Sequence, residues 1–442
     1  MTSYLPNILF AIILLAGVLF FARNVKKLIR NIKLGKDIDV SGHRSERWKN
    51  MIMIALGQQK MVVRPIAGLL HLIVYVGFVI INIEVLEIII DGLFGTHRIF
   101  SGMGVAYNIL IGSFEILALL VIVAVVVFWI RRNIIRLQRF IKPEMEGWPK
   151  KDGNLILYFE VVLMTLFLTM NATDYQLQQM GAAHYSEAGA FPVSKWLGPL
   201  FSGMSETTLI MVERGAWWGH IIGILIFLNY LYYSKHLHIL LAFPNTFYGR
   251  VTPQGQFNNL ESVTKEVKLM MDPNADPFAA PAEDAPPPEK FGASDVQDLS
   301  WVQLLSAYTC TECGRCTSEC PANQTGKKLS PRKIMMDTRD RLEEVGKNID
   351  ANGGTFKDDG KQLLDNYISR EELWACTSCN ACVEACPVSI DPLSIILEMR
   401  RYLVMEQSAA PVELNNMMTN IENNGAPWPY NQMDRLNWKN ET

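Results

Sequence analysis

The first 309 residues of this 442-residue chain contain no cysteine, and residues 250–442 contain no apolar run comparable with those that precede them. All eight cysteines therefore lie in the polar part of the chain. That part also lacks a basic block with interleaved aromatic residues, and the formal net charge is only −3, so nucleic-acid binding is not indicated. No basic segment precedes the first apolar stretch, which argues against a cleaved signal peptide. What is present is an apolar half followed by a cysteine-bearing half.

Five segments of the apolar half are long enough to cross a hydrocarbon core of roughly 30 Å. The fourth is short for this purpose. The predicted membrane helices are Leu5–Ala22, Ile66–Ile90, Ala106–Ile130, Asn154–Met170 and Ala216–Phe243. The pattern predicts an all-α chain that begins with a five-helix transmembrane bundle.

Lysine and arginine are unevenly distributed among the loops between these segments. Residues 23–64 and 131–151 are rich in both, whereas the other two loops carry only Arg98, Lys195 and Arg214. Because loops rich in lysine and arginine stay in the cytoplasm, the N-terminus is predicted to lie outside a bacterial inner membrane. Five crossings then place the cysteine-bearing half in the cytoplasm.

Two segments of that half repeat the pattern C-x2-C-x2-C-x3-C-P: CTECGRCTSECP at 310–321 and CTSCNACVEACP at 376–387. This spacing is typical of two 4Fe–4S clusters, where three cysteines of a motif bind one cluster and the fourth binds the other. One predicted ligand set is Cys310, Cys313, Cys316 and Cys386, and the other is Cys376, Cys379, Cys382 and Cys320. Disulfides are disfavoured in a reducing cytoplasm, and zinc knuckles usually supply two cysteines each.

These features divide the chain into four regions. Residues 1–245 are the predicted membrane domain. Residues 246–298, which include DPNADPFAAPAEDAPPPEK, are a predicted linker, because their composition favours extended, hydrated chain. Residues 299–405 are a predicted domain with two clusters, and residues 406–442 are a tail expected to dock a partner.

The two cysteine motifs are widely separated and flanked by the helical patterns CPANQTGKKLSPRKIMMDTR and CPVSIDPLSIILEMRRYLVMEQ. This region resembles the cytoplasmic α-helical ferredoxin domain of succinate dehydrogenase iron–sulfur subunits and of the C-type iron–sulfur component of heterodisulfide reductase. The first 245 residues resemble the five-helix cytochrome b module of the nitrate reductase gamma subunit and of the E-type membrane component of heterodisulfide reductase. The order of the two modules resembles membrane-bound electron-transfer-flavoprotein:menaquinone oxidoreductases and heterodisulfide-reductase-like proteins.

That resemblance implies partners and a membrane carrier. In fused members a cysteine-rich CCG domain follows and carries the substrate-side chemistry. Here the tail NIENNGAPWPYNQMDRLNWKNET resembles the segment that leads into that domain, and no cysteine follows Cys386. The expectation is a separate CCG-domain iron–sulfur subunit that holds the substrate site. An electron-transfer flavoprotein or a dehydrogenase is a further candidate partner, with menaquinone in the membrane.

Two of the seven histidines are predicted to bind a b-type haem. His71 lies about six residues inside the second predicted helix, and His238 lies about five residues from the end of the fifth, both near the cytoplasmic side. A haem needs two imidazoles at one depth on different helices, and these two meet that requirement. The resemblance to the nitrate reductase gamma subunit implies the same pairing.

The role of His220 stays open. In the fifth predicted helix, five whole turns separate His220 from His238, so the two share one face, while His236 is rotated by about 160° and points toward the membrane interface. His220 then lies near the outer surface without an evident partner histidine. It could hold a second haem, for which His97 is the only spare histidine on that side, or be an interfacial residue. A quinone site using His220 or His97 is a further alternative. Four glutamates in the spanning segments, which could carry protons or simply pack, are Glu84, Glu87, Glu115 and Glu160.

The predicted function is a membrane-bound electron-transfer subunit. It would connect a cytoplasmic redox partner, two 4Fe–4S clusters, a b-type haem and menaquinone. One alternative is an electron-delivering subunit of a heterodisulfide-reductase-like thiol–disulfide reductase. Another is a membrane anchor or redox sensor without catalytic function.

Overall fold

The computed structural model describes residues 4–185, 187–274 and 290–440. Most of the proline- and acid-rich part of the predicted linker therefore lies outside the described residues. The described parts of the chain form helices, turns and loops, with two isolated β-bridges that join Lys36 to Ser300 and Leu364 to Ile368. The prediction of an all-α chain is confirmed.

Eighteen α-helices occur in the described ranges. They are α1 Leu5–Ile32, α2 Arg44–Asn50, α3 Pro65–Phe94, α4 Val105–Asn133, α5 Trp148–Met180, α6 Ser194–Leu197, α7 Glu206–Tyr230, α8 His238–Tyr248, α9 Glu261–Met271, α10 Trp301–Thr309, α11 Arg315–Glu319, α12 Pro321–Gln324, α13 Pro331–Ala351, α14 Leu363–Asn366, α15 Arg370–Trp374, α16 Ala381–Ala385, α17 Pro392–Arg401 and α18 Val412–Asn424. Short 3-10 or π segments are Met51–Leu56, Ile99–Met103, Gln138–Phe140, Pro143–Met145, Gly198–Leu200, Leu231–Tyr233, Lys235–Leu237, Val296–Asp298, Tyr402–Glu406 and Gln432–Asn440.

Five helices are long and apolar enough to cross a membrane: α1, α3, α4, α5, and α7 with its 3-10 extension to Tyr233. The helix α5 has 33 residues and is not short, contrary to the prediction. Its last turns are polar, yet Asn171, Asp174 and Gln178 are buried inside the bundle. A hydropathy pattern ends a span where polar residues begin, even when those residues face the protein interior.

The fifth predicted segment, Ala216–Phe243, is not one helix. Its first part belongs to α7, which begins ten residues earlier and ends at Tyr230. Ser234 then has an extended backbone (φ −114°, ψ 145°), and the chain restarts as a 3-10 turn and α8. The predicted five continuous turns between His220 and His238 are therefore wrong.

The bundle packs through the pairs α5–α7, α3–α4, α4–α5 and α1–α7. Glycines allow close helix approach: the ring of Phe10 in α1 lies 2.7 Å from the position that a Cβ on Gly92 would occupy. A methyl group of Val121 in α4 lies equally close to the corresponding position at Gly77. Small residues at helix crossings are typical of membrane bundles.

Helices α10–α17 surround a second core that includes Leu304, Ile334 and Ile395. The fully buried Arg341 of α13 donates hydrogen bonds to Asp295 (2.8 Å) and Asp359 (2.6 Å). These bonds tie the segment before α10 into the ferredoxin-like domain. Residues 290–298 therefore belong to this domain, and α9 lies within the region predicted to be extended linker.

The cysteine-bearing domain sits on the end of the bundle that carries the loops rich in lysine and arginine, named here the basic end. Lys27 Nζ lies 2.6 Å from Asp350 Oδ2. Asn31 Nδ2 donates to the hydroxyl of Tyr308 at 2.9 Å. These contacts join α1 to α13 and α10. Basic loops and cysteines thus share one end of the molecule, as the sequence predicted.

The last described segment adds little to either core. The helix α18 buries none of its residues, and Met433 and Trp438 are 86% and 70% exposed. Exposed large apolar side chains of this kind often mark an interaction surface. The partner-docking role of residues 406–442 stays a prediction.

Candidate functional site

The two cysteine motifs fold into the same loop. The second and fourth residues after the first cysteine are left-handed in both: Glu312 (φ 53°) and Gly314 (φ 72°), then Ser378 (φ 57°) and Asn380 (φ 62°). Each loop leads into a five-residue helix, α11 or α16, and these helices pack against each other. Successive backbone N–H groups in such loops can surround an anionic group. The two motifs therefore have the same backbone conformation, and their short helices are in contact.

Four thiols line one cavity, named here the first thiol cavity. Cys310, Cys313 and Cys316 come from the first motif, whereas Cys386 comes from the second. The structure thus brings together the four cysteines that the sequence assigns to one cluster.

The remaining thiols gather on the other side of the contact between α11 and α16. Cys376 and Cys382 pack near Leu393. Burial raises the pKa of the Cys382 thiol, and the charges of neighbouring groups, Cys320 among them, add to the rise. Cys320 of the first motif therefore lies among the thiols of the second. Cys379 is exposed, so this group reaches the protein surface.

Without a bound metal, burial favours the protonated form of these thiols. Burial raises the pKa of Cys310 to about 12 and that of Cys386 to about 11. Thiolate is the form that ligates a metal, so cluster binding releases protons here. The described residues include no group of three His, Cys, Asp or Glu side chains arranged around a single ion. The thiols surround a cavity instead.

Loops of the membrane domain contact residues that line or adjoin the first thiol cavity. Arg315 donates to the carbonyl oxygens of Lys60 (3.0 Å) and Met61 (3.1 Å), in the loop before α3. Arg332, which lines the cavity, donates to the carbonyl oxygen of Arg139 at 2.6 Å. The first thiol cavity therefore lies at the junction between the two domains.

Across this junction, the rings of His71 in α3 and His238 in α8 lie side by side. Their centroids are 6.4 Å apart and their planes are inclined by 42°. Imidazoles on opposite sides of one metal ion, with bonds of about 2 Å, have ring centres roughly 6–6.5 Å apart. His238 Nδ1 lies 3.1 Å from the carbonyl oxygen of Lys235, an arrangement that leaves Nε2 for a metal. His71 and His238 are therefore the residues that would hold a haem here, and a bound haem would supply one-electron chemistry.

His236 also belongs to this group. Its ring lies 5.4 Å from that of His238 and 5.4 Å from that of Phe227. The prediction that His236 points toward the membrane interface is wrong. It assumed continuous helical rotation, which the extended backbone at Ser234 interrupts.

About midway along α7, and not near the outer surface as the sequence predicted, His220 is buried and faces a phenyl ring. It is 1% exposed, and its centroid lies 6.1 Å from that of Phe167. Its Nδ1 has no hydrogen-bond partner. Among the aromatic pairs of the described residues, His220 is not paired with another histidine. A haem held by His220 would lack a second imidazole.

The end of the bundle opposite the basic end, named here the opposite end, carries a buried network centred on Arg98. Arg98 donates to Asp174 (2.6 Å), to Asn171 (2.9 Å) and to the hydroxyl of Tyr107 (3.1 Å). Asn171 in turn donates to Glu115 at 3.1 Å. Glu115 also accepts the backbone N–H groups of Val193 and Ser194 at the start of α6, which indicates an anchoring role.

A small cavity adjoins this network, with Glu84, Glu87, His97, Glu213 and other residues in its lining. Glu84 is only 2% exposed, and its Oε2 has no hydrogen-bond partner. His97 Nδ1 is likewise unpartnered, while its Nε2 lies 3.6 Å from Asp174. This outer cavity therefore brings together polar atoms without hydrogen-bond partners. The sequence indicated Glu84 and His97 as separate candidates and did not predict that they share a cavity.

Comparison with known proteins agrees with the cysteine geometry. A 4Fe-4S dicluster domain matches residues 309–390. The "Probable iron-sulfur-binding oxidoreductase FadF" of Bacillus subtilis is 29% identical over 462 aligned positions, which cover 98% of this chain and 61% of that protein. The "EtfAB:quinone oxidoreductase" of Syntrophomonas wolfei is 27% identical over 90% of this chain and 55% of its own length.

The C component of a "Ferredoxin/F(420)H(2)-dependent CoB-CoM heterodisulfide reductase" from Methanosarcina acetivorans is 35% identical over 27% of this chain and 60% of its own length. The chain thus contains a 4Fe-4S dicluster domain and is similar in sequence to iron–sulfur proteins of the heterodisulfide reductase C-like and EtfAB:quinone oxidoreductase type. It spans about three fifths of the length of the two relatives that match most of it. No solved structure matches it.

In this iron–sulfur protein, sequence analysis missed the residues that join the sites. Asp152, Lys235 and Glu312 are buried between the histidine pair and the first thiol cavity. The only signal was the polar triplet Ser234–His236 inside an apolar run. Their partnership depends on contacts between distant parts of the chain.

Proposed function

We propose that this chain relays electrons between a cytoplasmic redox partner and menaquinone, with two 4Fe–4S clusters and one b-type haem as its cofactors. The observation that carries the proposal is the position of the His71–His238 pair. Arg315, beside the first thiol cavity, bonds to the loop that leads directly into α3, where His71 lies. A haem-binding pair next to a cluster-binding cavity is the arrangement that an electron relay requires.

The chain's residues support a haem in several ways. His71 and His238 supply opposed imidazoles, and the Lys235 carbonyl orients the ring of His238. A bound b-type haem would supply one-electron chemistry, tuned by such ligand hydrogen bonds. The proposed cluster ligands are Cys310, Cys313, Cys316 and Cys386 for the first cluster, and Cys376, Cys379, Cys382 and Cys320 for the second.

The exposure of the thiols suggests an order for the clusters. Cys379 is exposed, whereas Cys310 and Cys386 are buried at the junction with the membrane domain. The second cluster would therefore face the soluble partner, and the first would face the haem. The protein's contribution is to set spacing and environment, because the redox chemistry belongs to the cofactors.

The outer cavity is the proposed menaquinone site. Glu84 and His97 present polar atoms without hydrogen-bond partners there, and quinone oxygens need such partners. His220 is buried about midway along α7, against Phe167. In this proposal the wild-type chain holds one haem, and the opposite end serves the quinone.

The proposed soluble partners are a separate CCG-domain iron–sulfur subunit and either an electron-transfer flavoprotein or a dehydrogenase. The quinone-linked function is favoured over heterodisulfide reduction, because the quinone oxidoreductase relative matches 90% of this chain and the heterodisulfide reductase relative matches 27%. A simple anchor or sensor does not require a paired histidine site beside a cluster cavity. The proposed location is a bacterial inner membrane, with the N-terminus outside and the cysteine-bearing domain in the cytoplasm.

A reduced-minus-oxidised absorbance spectrum of the purified chain tests the proposal. The expected result is the spectrum of a six-coordinate b-type haem, at one haem per chain, together with iron and sulfide for two clusters. A preparation with both clusters and no haem would reject the relay to the membrane and favour the anchor. Copurification then separates the quinone-linked function from a disulfide-handling one through the partner recovered.

A further inference from the structure

Four charged residues, of which the two carboxylates are buried and the two cations are largely shielded, occupy the junction between the histidine pair and the first thiol cavity. This junction cluster consists of Asp152, Lys235, Glu312 and Arg339. Lys235 Nζ is paired with Glu312 and lies 3.8 Å from Asp152 Oδ2. Arg339 donates to Glu312 at 2.8 Å. Two cationic and two anionic side chains thus balance, and the two carboxylates are each only 2% exposed.

Lys235 contacts the two sites through different atoms. Its carbonyl oxygen lies 3.1 Å from His238 Nδ1, so this backbone group orients the ring. Its ammonium group pairs with Glu312, which lies between Cys310 and Cys313 in the first cysteine loop. No other residue of the junction cluster contacts both a histidine of the pair and a cysteine loop.

The position of Lys235 is set from a third element, α5. Asp152 accepts hydrogen bonds from Ser234 Oγ (2.7 Å) and from the backbone N–H of Lys235 (3.1 Å). Lys235 Nζ also donates to the carbonyl oxygen of Pro149 at 2.7 Å. These bonds fix the Lys235 backbone at the helix break beside Ser234, and they fix the Lys235 ammonium group at the junction between the domains.

We propose that Lys235 is a positioning residue that couples the His238 site to the first cluster loop. Its backbone orients the imidazole, and its charge offsets that of Glu312 beside the cluster. The proposal rests on the proposed function, since it requires a haem at His71 and His238. A positive charge near a redox centre stabilises the more negative, reduced state, so its loss lowers the midpoint potential.

Potentiometric titration of the full-length protein tests this coupling, with the haem followed by absorbance and the clusters by electron paramagnetic resonance. Lys235→Met should lower the midpoint potentials of the first cluster and of the haem. Glu312→Gln should raise that of the first cluster, and the double variant should return toward the wild-type value because the net charge is restored. Lys235→Arg should remain close to wild type.

Lys27→Met is the matched control. It removes another ion pair between the domains, with Asp350, that touches neither site, and it should leave every potential unchanged. If Lys235→Met does not assemble, Glu312→Gln carries the test, because it keeps the shape of the side chain and removes its charge.

The proposal is overturned if Lys235→Met and Glu312→Gln titrate like wild type, or if both shift the first cluster in the same direction. A wild-type protein without haem absorbance is a separate failure, because it rejects the proposed function. The cluster titrations would still report in that case whether Lys235 and Glu312 act on the first cluster.

Discussion

The membrane bundle holds histidines at two depths, yet only those at the basic end lie beside another histidine. At the basic end, the rings of His71 and His238 are 6.4 Å apart and inclined by 42°. About midway along α7, His220 and Phe167 are 6.1 Å apart with the same inclination. The two ring pairs are geometrically alike, but a phenyl ring has no nitrogen to offer a metal. A buried histidine becomes a haem-ligand candidate only where another element supplies a second imidazole.

The charged residues at the two ends of the bundle differ in a corresponding way. At the opposite end, Arg98 joins α5, α4 and the loop after α3 through Asp174 and Tyr107. At the basic end, Lys235 joins the break after α7 to the cysteine loop through Glu312. One buried cation holds the bundle together, whereas the other connects two domains. Substitutions at the two ends should therefore have different consequences.

The largest expected effect is loss of the haem. Removing either imidazole of the basic-end pair, by His71→Ala or His238→Ala, should abolish haem binding, because one axial ligand cannot replace two in this site. The pyridine haemochrome content per chain measures the result. His220→Ala should retain the wild-type haem content.

Two outcomes would contradict this comparison. Full haem content in His71→Ala would show that the ring pair is not the site. A halved content in His220→Ala, from two haems to one, would show that the chain also binds haem at His220.

The second prediction concerns stability at the opposite end. Arg98→Met leaves Asp174 buried without its cation, and breaking a buried pair in this way costs about 3–5 kcal/mol. The thermal unfolding midpoint in detergent should fall, while the haem content of the folded fraction stays at the wild-type value. The exposed Arg44 provides the control, since Arg44→Met should leave the midpoint unchanged. If Arg98→Met unfolds at the wild-type temperature, the Arg98 network does not stabilise the bundle.

Much of this arrangement was accessible from the sequence, because it depends on local spacing. The cysteine spacings predicted which four thiols surround the first thiol cavity, since a short loop and a small helix fix their relative positions. Counting residues from the basic end placed His71 and His238 at one depth. The two rings do lie side by side, although the fifth predicted helix is interrupted after Tyr230. The interruption does not change their depth, because both residues lie close to the basic end.

The remainder depends on contacts between distant residues, which spacing does not reveal. The run from Ala216 to Phe243 is apolar throughout most of its length, so nothing local marks a helix end at Tyr230. At the helix break, Ser234 and Lys235 donate hydrogen bonds to Asp152, which lies in α5 and is distant in sequence. The length of α5 was underestimated for the same reason, since its polar turns are buried by Arg98 and its neighbours.

The smallest effect, a moderate loss of haemin affinity, is expected from substitution of Asp152, which accepts the hydrogen bonds at the helix break. Asp152→Ala removes the acceptor for Ser234 Oγ and for the Lys235 N–H, so the carbonyl that orients His238 is no longer held. Loss of such an indirect support for a metal ligand typically costs 10–100-fold in affinity. Haemin titration of the apoprotein should show a loss of this size for Asp152→Ala and a smaller one for Asp152→Asn, which keeps one acceptor oxygen.

Asp91 offers the matched control at the opposite end, because it likewise accepts backbone N–H groups, from Arg98 and Ile99. Asp91→Ala should loosen that loop and leave haemin affinity unchanged. If Asp152→Ala binds haemin as tightly as wild type, apolar packing of Leu231 and Leu237, which are both 3% exposed, holds the break instead. Equal losses in both variants would mean that haem affinity follows the stability of the whole bundle, and the distinction between its two ends would fail.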